Sequence, residues 1–272
     1  MGVLAVEGRD AGAFLQSQTM NDAMALSPGE WQWNGWLSPK GRLIALFLLV
    51  REAPEQWLLV LPDFAAAELA ALLQRFVFRS QLRLVPAPGL QAAAGPVPKV
   101  GARQWSGGRG DGIGISLPGP SGSRGLWLLA AEHPALAPGK PALDQAWFSA
   151  DLAIGLPRLP LAGREVWTPQ MLSLERLDAF SLAKGCYPGQ EIVARTHYLG
   201  QAKRALAHLE GIDLKAGAAV EALGGAAGTV VCATADGRGA LAVLALDAQE
   251  PLVAGGLPCR RLPLPALPGK SG

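Results

Sequence analysis

One cysteine of this chain stands in a segment where several reactive side chains lie close together. The segment reads Lys184-Gly185-Cys186-Tyr187-Pro188-Gly189-Gln190-Glu191 and continues as Ile192-Val193-Ala194-Arg195-Thr196-His197-Tyr198. Pro188 suits the first turn of a helix, because its φ is already near the helical value and it has no N–H to leave unpaired. A helix that begins at Pro188 or Gly189 has its positive end close to Cys186, and Lys184 is two residues away. Both positive groups would shift the thiol towards the reactive thiolate.

The side chains of this segment also have purely structural interpretations. Cys186 is either the reactive thiol or a small buried hydrophobe, since free cysteine is among the most buried residue types. Lys184 is either solvated, or it binds an anion or tunes the thiol. Glu191 favours the start of a helix and makes an i,i+4 pair with Arg195. His197 is more simply an exposed or hydrogen-bonded imidazole than a base, unless it reaches Cys186 in space.

Glycines and tryptophans leave two further questions open. Gly185 and Gly189 either allow tight turns or let the backbone approach a ligand. Trp31 and Trp33 share one face of a predicted strand, and Trp36 falls on the other face. Core packing explains these rings first, although a flat aromatic wall is also what a pterin ring would stack on.

Composition indicates a folded, globular protein. The 272 residues are 50% hydrophobic and 17% charged, a balance that allows two or three small domains. The net charge of +2 is too small to indicate nucleic acid by its field alone. The longest apolar runs, such as 43–50, fall well short of the roughly 20 residues that a membrane helix requires, and no targeting pattern precedes Glu7. We therefore expect a cytoplasmic, monomeric protein that contacts neither nucleic acid nor a membrane directly.

The cysteines and histidines are too scattered to predict a metal site or a disulfide framework. No C-x-x-C spacing occurs, and the number of cysteines is odd. We expect reduced thiols and no permanently bound metal. The residues concerned are Cys186, Cys232, Cys259, His133, His197 and His208.

Hydrophobic periodicity predicts an α+β fold that ends in a small all-β domain. Asp10 and the pair Pro62-Asp63 are predicted to cap two helices. The sequence Asp236-Gly237 between two apolar runs is a hairpin signal. The predicted strands are 31–36, 43–50, 57–61, 82–85, 126–130, 228–233 and 239–246. The predicted domains are 1–100, 101–200 and 201–262, and residues 263–272 are predicted to be a flexible tail.

Motifs spread along the chain resemble one known family. Besides residues 184–191, they are Val6-Glu7-Gly8-Arg9-Asp10-Ala11, Phe14-Leu15-Gln16, Gln18-Thr19-Met20-Asn21-Asp22, Pro39-Lys40-Gly41-Arg42 and Pro169-Gln170-Met171-Leu172. Together they resemble the YgfZ family of folate-binding proteins, which is related to the T-protein, the aminomethyltransferase of the glycine cleavage system. The resemblance extends from near Met1 to the hairpin at 228–246.

The resemblance implies a fold and a function. It implies domains arranged around a central channel that holds tetrahydrofolate or a derivative, with a small β-barrel at the C-terminus. It also implies that the protein supports the assembly or repair of iron–sulfur clusters, with client enzymes or the assembly machinery as partners; clients would include enzymes that methylthiolate tRNA. By the same resemblance, Cys186 and Lys184 would be the catalytic or functional residues. The implied folate contacts are Lys184, Gly185, Tyr187, Gly189, Gln190, Glu191, Arg195, Asn21 and Trp36.

One departure from the T-protein pattern opposes aminomethyl transfer. Where T-proteins carry a Gly-Gly-x-x-Asp-Asp run, this chain has Gly41-Arg42-Leu43-Ile44-Ala45-Leu46. Ala45 and Leu46 supply no carboxylate, and the loss of a general acid or base typically lowers a rate about 10²- to 10⁴-fold. A folate-dependent transferase therefore remains only an alternative, and so does a cysteine nucleophile enzyme with His197 as its base.

Overall fold

Most of the regular secondary structure lies in three β-sheets. The computed structural model describes residues 1–87, 89–134, 136, 141–200 and 202–267, the side chains of 141–143 excepted. The first sheet is antiparallel, in the spatial order β2-β3-β4-β1-β5. Its strands are β1 (Gly2–Glu7), β2 (Trp31–Leu37), β3 (Leu43–Ala53), β4 (Gln56–Leu61) and β5 (Arg83–Pro86).

Both faces of the first sheet are buried. Alternate side chains of its strands point in opposite directions, so each strand contributes to the packing on both faces. One face packs on helices α1 (Ala11–Gln18) and α2 (Ala66–Gln74) through a cluster that includes Trp36 and Phe47. The other face carries Trp31 and Trp33 and packs towards the second sheet. The predicted division of the three tryptophans between two faces is therefore confirmed.

The second sheet has the order β6-β9-β8-β7. Its strands are β6 (Leu90–Gly95), β7 (Trp105–Gly108), β8 (Gly112–Gly119) and β9 (Gly122–Ala130), and helix α3 (Pro141–Ala153) follows. Strand β6 begins at Leu90, inside the range 1–100 predicted for the first domain. Its sequence, Leu-Gln-Ala-Ala-Ala-Gly, has no β-branched or aromatic residue, so only its pairing with β9 identifies it as a strand.

The third sheet is a closed antiparallel barrel in the order β10-β13-β12-β11-β14-β15. Its interior is filled by small and medium apolar side chains such as Val220, Val230 and Ala242. The predicted α+β class and C-terminal β-barrel are thus confirmed. The strands are β10 (Arg204–Gly211), β11 (Ala219–Ala222), β12 (Gly225–Ala233), β13 (Gly239–Ala245), β14 (Leu252–Ala254) and β15 (Leu257–Leu262).

Two carboxylates predicted to cap helices instead join distant segments. The carboxylate of Asp10 makes no cap bond to α1 and accepts from the backbone N–H of Gln81 at 2.7 Å. Helix α2 begins at Ala66, and the carboxylate of Asp63 accepts from the backbone N–H of Leu159. In both cases the carboxylate makes a tertiary hydrogen bond in place of the predicted local one.

The predicted tail is packed against the protein as far as it is described. Leu264 and Leu267 are partly buried against the core, and the carbonyl oxygen of Pro265 accepts a hydrogen bond from Arg176. The proline and glycine content suggested fraying, but these two leucines give the segment an apolar contact. Residues 268–272 of the predicted tail lie outside the described residues.

A buried carboxylate joins the second sheet to the first. Asp151 of α3 is 1% exposed and lies between the guanidinium groups of Arg124 and Arg158. Arg124 also donates to the carbonyl oxygen of Pro118 at 2.9 Å. Arg158 donates to the carbonyl oxygen of Pro62, at the end of β4, also at 2.9 Å. This ion triad therefore fixes the positions of three segments that are far apart in sequence.

Candidate functional site: a thiol loop beside a central cavity

The helix predicted after Cys186 is present and begins against the turn between β2 and β3. Helix α4 (Gln190–Tyr198) has Gly189 as its N-cap, at φ 79°. A Cβ atom on Gly189 would lie 2.6 Å from the carbonyl oxygen of Ser38 and 2.7 Å from Cα of Gly41. Such distances are far below van der Waals contact. The backbone of Gly189 therefore lies directly against another part of the chain.

We expect Gly189→Ala to lower the free energy of unfolding by about 1–3 kcal/mol. The substitution adds a methyl group against backbone that cannot move aside, and φ 79° is strained for a residue with a Cβ. Gly185→Ala is the matched control, because a Cβ there meets nothing within 4 Å. Urea denaturation of both variants checks the prediction, which would be contradicted by equal midpoints.

The side chain of Lys184 is buried and joins its own loop to the end of α1 through hydrogen bonds. It is 5% exposed, and its Nζ atom donates to three carbonyl oxygens, those of Gln16 (2.5 Å), Thr19 (2.5 Å) and Asn21 (3.1 Å). These carbonyls follow or end α1, where a cation is favoured by the helix dipole. Burial lowers the pKa of Lys184 to about 8, and the carboxylate of Asp22 opposes this shift. An ammonium group has three donors, so none is left for a folate carboxylate or for the thiol.

Asn21 connects the Lys184 loop to the strand that carries the tryptophans. Its side-chain Nδ2 donates to the carbonyl oxygen of Trp33 at 2.9 Å and to that of Asp178 at 2.7 Å. Its backbone N–H donates to Oδ1 of Asn34, and its carbonyl accepts from Lys184. Asn21 is fully buried, and both amide hydrogens are used. The residue predicted to contact folate therefore positions other parts of the site.

A cavity of about 580 Å³ lies against strand β2. Trp31 and Trp33 of β2 form part of its wall, with their rings edge to face and their centroids 6.3 Å apart. Both indole N–H groups are buried and have no hydrogen-bond partner. The volume is in the range of small-molecule sites.

Two guanidinium groups also line the cavity. Arg103 pairs with Asp178 at 2.8 Å, and both residues have positive φ values, 60° and 51°. Non-glycine residues in this region are strained and concentrate at functional sites. Arg176 donates to the carbonyl oxygens of Ile154 at 3.2 Å and Pro265 at 2.5 Å. Within the described part of the chain no carboxylate lies within 4 Å of Arg176. The sequence offered no sign of these arginines, because 73 residues separate them along the chain.

Cys186 is exposed on the loop before α4 and does not line the cavity. No hydrogen bond joins it to His197, whose ring packs against Tyr198 at 4.9 Å between centroids. The geometry required for a cysteine–histidine pair is therefore not formed. Cys232 differs from Cys186: it is buried, and burial raises the pKa of its thiol to about 12. In the described ranges, no group of three His, Cys, Asp or Glu side chains is placed to hold a metal.

The remaining predicted folate contacts also lie away from the cavity lining. Tyr187 is buried in the core beneath Lys184, and burial raises its pKa to about 12. Gln190 donates to the carbonyl oxygen of Lys184 at 3.2 Å. Trp36 packs edge to face on Phe76 at 6.0 Å, across the first sheet from Trp31 and Trp33. Gly185, Glu191 and Arg195 are exposed, and the predicted pair between Glu191 and Arg195 is not formed.

Comparison with known proteins agrees with the motifs. No family model matches the sequence. The chain is 31% identical over 206 residues to an uncharacterized protein of Haemophilus influenzae, covering 73% of this chain and 66% of that protein. It is 30% identical over 216 residues to the tRNA-modifying protein YgfZ of Vibrio vulnificus, covering 74% and 64%. It is 29% identical over 223 residues to the mitochondrial iron–sulfur cluster assembly factor IBA57 homolog of Mycosarcoma maydis, covering 73% and 52%.

The chain thus spans a little under two thirds of the length of the first two relatives and about half of the third. Its fold is similar to the crystal structure of the glycine cleavage system aminomethyltransferase T from Bartonella henselae. The TM-score is 0.71 and the identity 17%, with 98% of this chain and 84% of that chain covered. No helix among the described ranges is long and apolar enough to cross a membrane. By its motifs, its relatives and its fold, the chain belongs to the family of YgfZ-related proteins, built on the T-protein fold.

Proposed function

We propose that this protein binds tetrahydrofolate, or a derivative, in the cavity behind Trp31 and Trp33. We further propose that it supports the assembly or repair of iron–sulfur clusters in client enzymes, including enzymes that methylthiolate tRNA. The names of the relatives support this function, since one is a tRNA-modifying protein and another a cluster assembly factor. The partners are then the client enzymes or the cluster-assembly machinery.

The single observation that carries the folate proposal is the aromatic wall that Trp31 and Trp33 form on a cavity of about 580 Å³. A pterin presents a flat ring, and a flat ring can stack on an aromatic wall. The glutamate end of folate is a carboxylate, and guanidinium groups are well suited to bind carboxylates. Arg103 and Arg176 supply two such groups. The residues present therefore fit this ligand.

Cys186 is the group we propose to act on partners. Its exposure leaves the sulfur free to meet a surface on another protein. Lys184 and Tyr187 are anchored in the core on either side of it, so the loop is held in place while the thiol projects outwards. A thiol in this position can ligate or protect a cluster that is being transferred.

Aminomethyl transfer is the alternative function, and the site gives it little support. Ala45 and Leu46 of β3 are both fully buried in apolar clusters. No Asp or Glu occurs between Trp31 and Arg51 to replace the missing carboxylate. The fold is similar to that of an aminomethyltransferase, but fold alone does not carry an activity.

Titration calorimetry with tetrahydrofolate tests the folate proposal. We expect Trp33→Leu to raise the Kd roughly tenfold, because it removes an aromatic ring on which the pterin would stack. Trp36→Leu is the matched control, since Trp36 lies on the opposite face of the same strand, and the Kd of this variant should equal that of the wild type. Absence of binding to the wild-type protein, or equal effects of both substitutions, would remove the cavity from the proposal.

Complementation tests the role of the thiol. In a strain that lacks its own copy of the protein, we expect Cys186→Ser to fold and to bind tetrahydrofolate, yet to leave a cluster-dependent tRNA methylthiolation activity unrestored. Cys259→Ser is the control and should restore it, since Cys259 is only partly exposed and lies on a barrel strand. Full rescue by Cys186→Ser would show that the thiol is dispensable.

A further inference from the structure

The chain that follows the barrel returns to cover the cavity. We define residues 263–267 as the strap. Pro265, Ala266 and Leu267 line the cavity, and Leu264 and Leu267 are partly buried against the core. The strap follows β15 directly, so the segment after the barrel supplies one wall of a site to which the first and second sheets also contribute.

The side chain of Arg176 holds the strap in this position by a hydrogen bond, and we call this side chain the latch. Its Nη2 atom donates to the carbonyl oxygen of Pro265 at 2.5 Å, and its Nη1 atom donates to that of Ile154 at 3.2 Å. Gly155 makes room for the side chains of Arg176 and Leu264. A Cβ atom at this position would lie 2.4 Å from Nη1 of Arg176 and 3.3 Å from Cδ1 of Leu264. The latch is thus a single side chain between a fixed backbone and the strap.

The hydrogen-bond acceptors of Arg176 carry no charge. They are two neutral carbonyl oxygens, whereas Arg103 in the same cavity pairs with the carboxylate of Asp178. Burial lowers the pKa of Arg176, and the charge of the neighbouring Glu175 opposes this shift without a hydrogen bond between the two side chains. A guanidinium binds a carboxylate more strongly than a neutral carbonyl, because charge attraction is added to two parallel hydrogen bonds. An anion in the cavity would therefore compete with Pro265 for Arg176.

We propose that Arg176 selects ligands with an aromatic head and a carboxylate tail, and that binding of the carboxylate releases the strap. This inference rests on the proposed folate function and assigns the carboxylate of the ligand to Arg176. A ligand without the carboxylate occupies the tryptophan wall and leaves the latch closed. A ligand with it exchanges one partner of Arg176 for another, so the strap loses this hydrogen bond and keeps the apolar contacts of Leu264 and Leu267.

Alkylation of a cysteine placed on the strap tests the release. The protein carries Leu264→Cys in a background of Cys186→Ser and Cys259→Ser; the remaining Cys232 is buried, with its pKa raised to about 12. We expect tetrahydrofolate to increase the iodoacetamide rate at position 264 roughly tenfold. Tetrahydropterin, which lacks the aminobenzoylglutamate tail, should leave the rate unchanged. A slower rate with tetrahydrofolate would overturn the proposal, because the strap would then close over the ligand.

Substitution of the latch separates this inference from the folate proposal. Arg176→Gln should increase the alkylation rate without any ligand, weaken tetrahydrofolate roughly tenfold, and leave tetrahydropterin affinity unchanged. Arg103→Gln, which leaves the Pro265 contact intact, should keep the slow rate. An unchanged rate in Arg176→Gln overturns the latch whatever binds. The wild type could bind neither compound while Arg176→Gln still increases the alkylation rate. That result would contradict the folate function and the ligand selectivity, and it would support only the contact between Arg176 and the strap.

Discussion

Replacing Asp151 by asparagine is expected to lower the free energy of unfolding by about 3–5 kcal/mol. The carboxylate is 1% exposed and balances the guanidinium groups of Arg124 and Arg158. Asparagine has the same shape but no charge, so two largely buried cations would face each other without a counter-ion. The penalty arises from desolvated charge, since the packing volume hardly changes.

Chemical denaturation followed by circular dichroism measures this effect. Asp213→Asn is the matched control, because Asp213 and Lys215 form an exposed ion pair at 2.8 Å. Exposed pairs contribute about 0–1 kcal/mol, so this control should unfold almost as the wild type does. If both substitutions had the same small effect, the triad would not be what joins the first and second sheets.

Lys184→Met is expected to lower the free energy of unfolding by about 2–4 kcal/mol, because it leaves three carbonyl oxygens near the end of α1 without their donor. Methionine keeps the length and the apolar stem of the side chain, so the loss reports the ammonium group. Lys203→Met is the control, since Lys203 is exposed. Comparable stability of the two variants would contradict the structural role of Lys184.

The same variant gives a dependence on pH with a definite sign. The pKa of Lys184 is lowered from 10.5 to about 8 by burial, so between these values the folded protein loses a proton that the unfolded chain keeps. The unfolded state then binds more protons, and the free energy of unfolding rises with pH. We expect the difference between wild type and Lys184→Met to grow from pH 8 to pH 10.5. A constant difference over this range would show that the amine is not desolvated in the fold.

Asn21 gives the two halves of the proposed function a physical connection. The thiol loop is anchored through Lys184 to the carbonyl oxygen of Asn21. The side chain of Asn21 in turn holds the backbone of Trp33, which lines the cavity, and that of Asp178, which pairs with the lining residue Arg103. Any movement of the cavity wall therefore acts on the same residue that positions the loop.

The sequence alone determined the features that depend on neighbouring residues. The alternation of side chains along β2 separated Trp31 and Trp33 from Trp36, and Pro188 with Gly189 marked the start of α4. The hairpin at Asp236-Gly237 followed from its turn residues, and the motif around Cys186 identified the family. These features follow from backbone preferences and from periodicity, which act over a few residues and can be read directly from the chain.

Only the tertiary structure decided which groups meet. Trp33, Arg103, Arg176 and Pro265 come from separate elements and form one cavity. Lys184, predicted to act beside the thiol, turns inwards to α1, and Gly189 lies against Gly41. Such contacts depend on how the sheets pack against one another, and the free energy of that packing is distributed over the whole core. For this reason the residues near Cys186 indicated a site, but the position of the cavity could not be derived from them.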